Sequence, residues 1–270
     1  MKKLSSYILL LLVIACSKKD NVDPALDYIT ETGFETGFDK TTMTKIEYDA
    51  QKRPTIVRIF DILEIFGPNG IFITYKGNRI EDIVVKNYGK TTNHKIEYLS
   101  DNEVTIFSDY GNSATYFRNL VFSKEGLPLK LTTQRNSQGP IISEKIFTYN
   151  ADLNLLKIEY MEYGTLLSLY TFSQHDKMKN PFYHNAMLWT IINTLYGVQT
   201  SLWGSILAIS KNNPTAMNDR SDFYKHEISY NDKGFPESAS TILAHYNIIT
   251  QQAPNESDYI KSKSKTYFKY

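Results

Sequence analysis

The residues that could carry out chemistry are few and scattered along the chain. The five histidines lack the spacing of a metal site; they are His94, His175, His184, His226 and His245. There is no H-E-x-x-H pair, no G-x-S-x-G nucleophile elbow and no glycine-rich phosphate loop. We expect His175 and Asp176 to lie in a solvated turn. The sequence therefore predicts no metal ion, no cofactor and no catalytic residue.

Two carboxylate pairs are close in sequence: Glu81 with Asp82, and Glu159 with Glu162. The carboxylates of a glycosidase pair in space, so sequence neighbours neither support nor exclude such a site. We expect a protein that is not an enzyme. A hydrolase with spatially paired carboxylates stays as an alternative.

Cys16 is the only cysteine, which excludes a disulfide framework and a cysteine-based zinc site within this sequence. It follows Lys2, Lys3 and an uncharged stretch over residues 7–15, which suits a signal peptide and is too short to span a bilayer. The tetrad Val13-Ile14-Ala15-Cys16 resembles the lipobox of bacterial lipoproteins. This resemblance implies that Cys16 is acylated and becomes the mature N-terminus. Each buried CH₂ group adds about 0.8 kcal/mol, so several acyl chains anchor a domain stably.

These features divide the chain into three parts. We predict a lipoprotein signal peptide and lipobox over residues 1–16, a flexible tether over 17–40 with at most a short structured segment at 32–38, and one domain over 41–270. The charges balance at 30 basic and 29 acidic residues, so no electrostatic field would attract nucleic acid. The 20 tyrosines and 14 phenylalanines favour β-strands.

An aromatic residue recurs along the domain at spacings of 27, 23, 24, 27 and 23 residues. The positions are Tyr48, Tyr75, Tyr98, Phe122, Tyr149 and Phe172, and the same pattern returns at Tyr230. Proline stands six residues after Tyr48, Phe122 and Tyr230, whereas Val104 and Leu155 take that place after Tyr98 and Tyr149. Apolar–polar alternation before each aromatic predicts a strand with one buried face.

An Asp, Asn or Ser after the aromatic can start a turn, and Gly126, Gly234 and Asn102 can adopt the left-handed conformation that closes it. Gly77-Asn78 predicts a tighter, two-residue turn. Each unit is therefore a β-hairpin. We predict a mainly β fold, an antiparallel hairpin-repeat meander of roughly 12 to 14 strands that forms a curved sheet or an incomplete barrel.

The repeat resembles the YD repeats of Rhs-type proteins. The chain also resembles Bacteroidota lipoproteins of unknown function that combine a lipobox, such hairpins, and segments like Asn180-Pro181-Phe182 and Asn212-Asn213-Pro214-Thr215. The resemblance implies a fold and a place in the cell envelope, lipid-anchored at the outer membrane, and no established activity. It leaves open whether the domain faces the periplasm or the cell surface.

An apolar insertion over residues 180–215 interrupts the repeats, and no Lys, Arg, Asp or Glu occurs between Lys179 and Lys211. Its centre, residues 186–209, has near-helical apolar spacing and predicts one or two short helices against the sheet. We expect the helical face to bury four residues: Leu188, Ile192, Leu195 and Leu202. An exposed patch that contacts lipid, an apolar ligand or a partner is the alternative. Trp189, Tyr196 and Trp203 are the candidate ligand-binding residues, because aromatic rings stack on sugars and lipids.

Three functions remain open. The first is a lipid-anchored, non-catalytic envelope protein that binds a glycan or a protein partner. The second is an apolar-ligand carrier or envelope assembly factor with a cavity lined by residues 186–209. The third is the hydrolase with paired carboxylates.

Overall fold

The computed structural model describes residues 31–36, 39–59, 69–87, 89–110, 115–196, 210–219, 222–245 and 264–269. These residues form sixteen strands: β1 (Glu31–Thr36), β2 (Asp39–Tyr48), β3 (Pro54–Ile59), β4 (Gly70–Lys76), β5 (Arg79–Asn87), β6 (Lys90–Ser100), β7 (Glu103–Asp109), β8 (Thr115–Phe122), β9 (Pro128–Gln134), β10 (Ile141–Tyr149), β11 (Leu155–Glu162), β12 (Thr165–Lys179), β13 (Asn212–Asp219), β14 (Asp222–Tyr230), β15 (Pro236–His245) and β16 (Ser264–Lys269). A 3₁₀ turn (Tyr183–Asn185) and one helix, α1 (Ala186–Tyr196), lie between β12 and β13.

Every strand pairs antiparallel with its neighbours in sequence, so the sheet is a continuous meander. The predicted class, mainly β with one short helix, is confirmed. β1 also pairs with β16, with Phe34 opposite Thr266, so the strand order returns to its start as in a closed barrel. β1 lies inside the range 17–40 for which we predicted a tether. Residues 17–30 lie outside the described residues.

The predicted repeat turns share one geometry. In four of them the residue after the aromatic donates its N–H to the carbonyl four residues on, over 2.8–3.0 Å; these residues are Asp49, Ser123, Asn150 and Asn231. The side-chain oxygen of the same residue accepts the N–H groups two and four residues on. The aromatic then pairs with the residue six positions later, as in Tyr230 with Pro236. The hairpin repeat is therefore confirmed.

The fourth residue after the aromatic is left-handed in all four turns. Gly126 (φ 79°) and Gly234 (φ 80°) are glycines as predicted, but Lys52 (φ 63°) and Leu153 (φ 64°) adopt the same conformation despite their side chains. The prediction for Asn102 is wrong, because a two-residue turn joins β6 and β7 and Asn102 keeps a negative φ.

Tyrosines also join neighbouring hairpins sideways. The Tyr75 hydroxyl donates to the Pro54 carbonyl over 2.8 Å, and the Tyr98 hydroxyl accepts the Ile80 N–H over 3.1 Å. A guanidinium lies over each ring, that of Arg53 at 4.3 Å from the Tyr75 centroid and that of Arg79 at 4.8 Å from the Tyr98 centroid. Tyr75 and Tyr98 thus each fix the start of the return strand in the hairpin before it.

We call the sheet face that carries the buried core the inner face, and the opposite face the outer face. Most of the core lies in the part of the inner face nearest the repeat turns, which we call the turn half, and on β4 and β5 it continues away from the turns to Ile71 and Val85. Its most buried apolar side chains are at most 2% exposed: Ile71, Ile83, Val104, Ile106, Leu120, Phe122, Leu155 and Met217. Phe122 is buried as predicted, and Tyr48 is half-buried against the same cluster.

Helix α1 packs into this core. Ile191, Ile192 and Leu195 are 0%, 3% and 6% exposed, and Leu188 packs against the cluster. Burying such a side chain is worth roughly 1.5–3 kcal/mol. The predicted core role is confirmed for residues 188, 192 and 195. Leu202 lies outside the described residues.

Asparagines tie the two ends of the insertion together. Asn180 donates its side-chain amide to the Ser210 carbonyl over 2.7 Å, and its side-chain oxygen accepts the Phe182 N–H. Asn154, in the turn after β10, accepts the Asn212 N–H over 2.9 Å. The insertion therefore leaves and rejoins the sheet at one point beside a repeat turn. No helix within the described ranges is long and apolar enough to cross a membrane.

Candidate binding surface

On β6 to β14, the part of the inner face away from the repeat turns carries polar residues at the inward positions. We call this region the polar surface. It comprises His94, Ser108, Tyr116, Arg118, Thr133, Ser143, Lys145, Tyr160, Glu162, Ser168, Tyr170, Asp219, Asp222 and Tyr224.

Strand register places these side chains on one face, because residues directly opposite each other in an antiparallel ladder point the same way. One row runs from the buried Ile106 through Arg118, Thr133 and Ser143 to Glu162. The next row runs from the buried Leu120 through Leu131, Lys145 and Tyr160 to Ser168. Both rows begin in the core, so their polar members are on the inner face.

Arg118 on β8 is held from one side. Its Nη1 donates to the Ser108 hydroxyl over 2.6 Å, and that hydroxyl lies 2.8 Å from Nδ1 of His94. Nη2 makes a longer contact of 3.4 Å to the Tyr110 hydroxyl, and the Tyr116 ring centroid is 5.9 Å from the guanidinium carbon. Burial, with a smaller contribution from Arg118, lowers the pKa of His94 to about 4. His94 is therefore neutral and Arg118 supplies the positive charge here.

Lys145 on β10 is the second cation of the polar surface. Its ammonium lies 5.6 Å from the Tyr160 ring centroid. The side chain is exposed, yet the surrounding protein desolvates it enough to lower its pKa. The Tyr160 hydroxyl donates to Glu162, and burial together with this carboxylate raises the pKa of Tyr160 to about 12. No carboxylate of the described residues lies within ion-pair distance of Lys145.

Carboxylates gather on strands β12 to β14. Tyr170 is opposite Asp219, and Asp219 is opposite Asp222. The Tyr224 hydroxyl donates to Asp222 over 3.4 Å, and burial followed by the two aspartates raises the pKa of Tyr224 to about 12. The polar surface is thus basic on β8 and β10 and acidic from Glu162 to β14.

On the outer face, several cations form ion pairs with glutamates. Lys130 pairs with Glu144 at 2.5 Å, Lys157 with Glu159 at 2.9 Å, and Arg58 with Glu47 at 2.7 Å. Glu159 and Glu162 therefore lie on opposite faces of β11, so these two carboxylates, which are close in sequence, do not converge. Glu81 and Asp82 are both exposed.

Of the candidate ligand-binding residues predicted from sequence, Trp189 alone has a described side chain. Trp189 is in α1, 9% exposed, with its ring at 5.1 Å from that of Phe182 in an edge-to-face contact. Tyr196 is the last residue of α1, and its side chain is outside the description. Cys16 and Trp203 also lie outside the described residues. The structure thus brings Trp189 into the core and does not join it to the polar surface.

The prediction for His175 and Asp176 is wrong. Both lie in β12 and are half-buried, and Asp176 accepts the backbone N–H groups of Met178 and Asn213. Asp176 therefore fixes the start of β13. Within the described ranges, no group of three or more His, Cys, Asp or Glu side chains could hold a metal ion.

Sequence reasoning missed Arg118 and Lys145. The available signal was a charged residue at an inward position of an alternating strand, as Arg118 is two residues before Leu120. The strand pattern predicts the sheet face on which Arg118 lies. Only the registers of β8 with β9 and of β9 with β10 place Arg118 and Lys145 in neighbouring rows of that face.

No family model and no curated protein matches this chain. Among solved structures, a porin-like protein from Bacteroides uniformis is similar at a TM-score of 0.49 and 13% identity, over 89% of this chain and 97% of that one. A porin-like protein from Bacteroides vulgatus is similar at a TM-score of 0.37 and 10% identity, over 90% of this chain and 98% of that one. At these values the likeness carries no argument about function, and the resemblance to YD repeats and to envelope lipoproteins stays a prediction.

Proposed function

We propose that this protein is a non-catalytic, lipid-anchored protein of the outer membrane that binds a glycan on its polar surface. Acylated Cys16 is the anchor, and the domain behind it presents the ligand site. The protein partner considered from the sequence is the less favoured ligand, because the polar groups line the inward face of a curved sheet. That face admits a chain of sugars more readily than a folded domain.

The observation that supports binding is the composition of the inward positions. Interior positions of a β-sheet normally bury apolar side chains, and polar groups there cost free energy unless they are satisfied. On β8 to β14 the inward positions of the polar surface instead carry two cations, three carboxylates and several tyrosines. Tyrosine rings and paired donors and acceptors are the groups that recognise sugar rings and hydroxyls.

The test is a glycan array probed with residues 17–270, which lack the anchor. We expect a discrete set of glycans to bind, and binding to fall in Tyr160→Phe and Glu162→Ala. Glu159→Ala is the matched control, because Glu159 is three residues from Glu162 on the same strand but faces outward. Binding that is lost equally in the control, or no binding to any glycan, would overturn the proposal.

The anchor is tested separately. Cys16→Ala should leave the precursor uncleaved or release the protein from the membrane fraction. A variant that is cleaved and still partitions wholly with membranes would contradict acylation of Cys16.

The two alternative functions, an apolar-ligand carrier and a hydrolase, would each require a different site. A carrier with a cavity lined by residues 186–209 is not favoured, because the described part of that segment packs into the core. A hydrolase would need Glu162, Asp219 or Asp222 to act on a bound sugar. Release of shorter products when the bound glycans are incubated with the protein would establish the hydrolase in place of the non-catalytic protein.

A further inference from the structure

We propose that the ligand of the polar surface is an acidic sugar of the hexuronic acid type, whose carboxylate is held between Arg118 and Lys145. This inference rests on the proposed glycan-binding function and names the chemical class of its ligand. It is carried by two inward cations that have no carboxylate partner among the described residues, whereas Arg58, Lys130 and Lys157 on the outer face are each paired with a glutamate.

Arg118 has donors to spare. A guanidinium carries five N–H donors, and the protein contacts of Arg118 use one at 2.6 Å and one at the longer 3.4 Å. No described carboxylate lies within ion-pair distance of this half-buried group. A planar guanidinium with free donors binds a carboxylate in a bidentate manner, which a hydroxyl cannot reproduce.

Lys145 is placed to contact the same carboxylate. Arg118 on β8 and Lys145 on β10 are separated by one intervening strand and are offset by two residues along the strand direction, so their backbones are about 12 Å apart. Thr133 on β9 lies directly opposite Arg118, and Ser143, two residues before Lys145, lies opposite Thr133. Both cations have long side chains that can converge above these two hydroxyls.

The neighbouring groups favour a sugar over a simple anion. Glu162 is opposite Ser143, and the Tyr160 hydroxyl that donates to it is one row away. An inorganic anion would be repelled by Glu162 and would gain nothing from it. A hexuronic acid places its carboxylate at the cations, while its ring hydroxyls donate to Glu162 and Tyr160 supplies an aromatic face.

The experiment measures binding of glucuronic acid, glucose and acetate to residues 17–270 by ligand-detected NMR titration at constant ionic strength. Glucose is the same ring without the carboxylate, and acetate is the carboxylate without the ring. We expect glucuronic acid to bind at least about tenfold more tightly than either, since one charge-assisted contact is worth about a factor of ten.

Arg118→Gln and Lys145→Gln should each weaken binding of glucuronic acid about tenfold and weaken binding of glucose much less, so that the preference for the acidic sugar is lost. Arg118→Lys should retain part of the affinity, because it keeps the charge and loses the bidentate geometry. Arg58→Gln and Lys157→Gln on the outer face are the matched controls and should bind like the parent protein. Circular dichroism establishes that each variant is folded, and Arg118→Lys carries the test if Arg118→Gln does not fold.

Three results would overturn the inference. Glucose that binds as tightly as glucuronic acid would show a neutral-sugar site, and the glycan-binding function would stand. Acetate that binds as tightly as glucuronic acid would show a simple anion site. An equal loss of affinity in the inner and outer variants would show that only net charge matters. If none of the probes binds and the glycan array is also blank, the proposed function fails together with the inference.

Discussion

The turn half and the polar surface belong to the same sheet face but are built in opposite ways. In the turn half, apolar side chains fill the inward positions and α1 packs against them, so that Ile191 and Leu120 are 0% exposed. On the polar surface, Lys145 and Arg118 have no carboxylate partner among the described residues. Unpaired charge is a cost to stability that a protein carries where function needs it. The difference indicates that stability resides mainly in one half and ligand recognition in the other.

The largest expected effect is in the turn half. Ile191→Ala should lower the free energy of unfolding by about 2–5 kcal/mol, because it removes a buried side chain and leaves a cavity. Chemical denaturation of residues 17–270 measures the change. Leu167→Ala is the control, since Leu167 is 39% exposed and should change stability by less than about 0.5 kcal/mol. If the two substitutions lowered the free energy of unfolding equally, the packing of α1 in the core would be contradicted.

Acidification tests the two buried histidines, His94 on β6 and His226 on β14, which are 1% and 8% exposed. Burial lowers the pKa of His226 to about 3, and burial with a smaller effect of Arg118 lowers that of His94 to about 4. The unfolded chain takes up protons near pH 6.5 while the folded protein does not. The contribution of these histidines to the free energy of unfolding is therefore complete above that pH and is lost as the pH decreases towards 4. The expected loss is about 2–3 kcal/mol for each histidine at pH 4.5.

Denaturation curves between pH 7.5 and 4.5 check this dependence. His226→Gln and His94→Gln should each flatten the profile. A wild-type stability that does not change down to pH 4.5 would contradict the buried, neutral state of both side chains.

The left-handed turn position tests the repeat that supports the turn half. Gly234→Val should lower the free energy of unfolding by about 1–3 kcal/mol, because a β-branched residue is strained at positive φ. A Cβ at this position would also lie 2.9 Å from the Met178 methyl group. Lys52→Gly, at the equivalent position of another repeat, should instead raise stability by up to about 1 kcal/mol. Thermal unfolding of the Gly234→Val and Lys52→Gly variants measures both changes. If the two substitutions changed the free energy of unfolding in the same direction, the two turns would not be equivalent.

The smallest effect is expected on the polar surface. Arg118→Gln and Lys145→Gln should leave the free energy of unfolding unchanged or raise it by up to about 1 kcal/mol, because each removes a partly desolvated cation that has no carboxylate partner among the described residues. Lys157→Gln, which breaks an exposed pair, should change it by less than about 1 kcal/mol. If either inner variant lowered the free energy of unfolding by about 2 kcal/mol or more, these cations would have a structural role. The proposed difference between the turn half and the polar surface would then be wrong.

The sequence alone determined the local part of this fold. The side-chain oxygen of Asn231 captures N–H groups two and four residues on, and Gly234 closes the turn, so each hairpin depends on a few neighbouring residues. The aromatic-to-proline spacing gave the register within a hairpin for the same reason. The apolar spacing of residues 188–195 predicted a helix against the core. Local chemistry therefore sufficed for most of the repeat turns, for the strands that flank them and for α1.

Tertiary structure decided which residues meet. Lys52 and Leu153 are left-handed although neither residue favours that conformation, so their residue types did not predict it. Arg118, Lys145 and Glu162 come from three strands and share a surface only through the registers of β8 to β11. A shift of one residue in any of those pairings would turn a strand's side chains to the other face. Register between hairpins depends on contacts across the whole sheet, which is why the sequence did not reveal the polar surface.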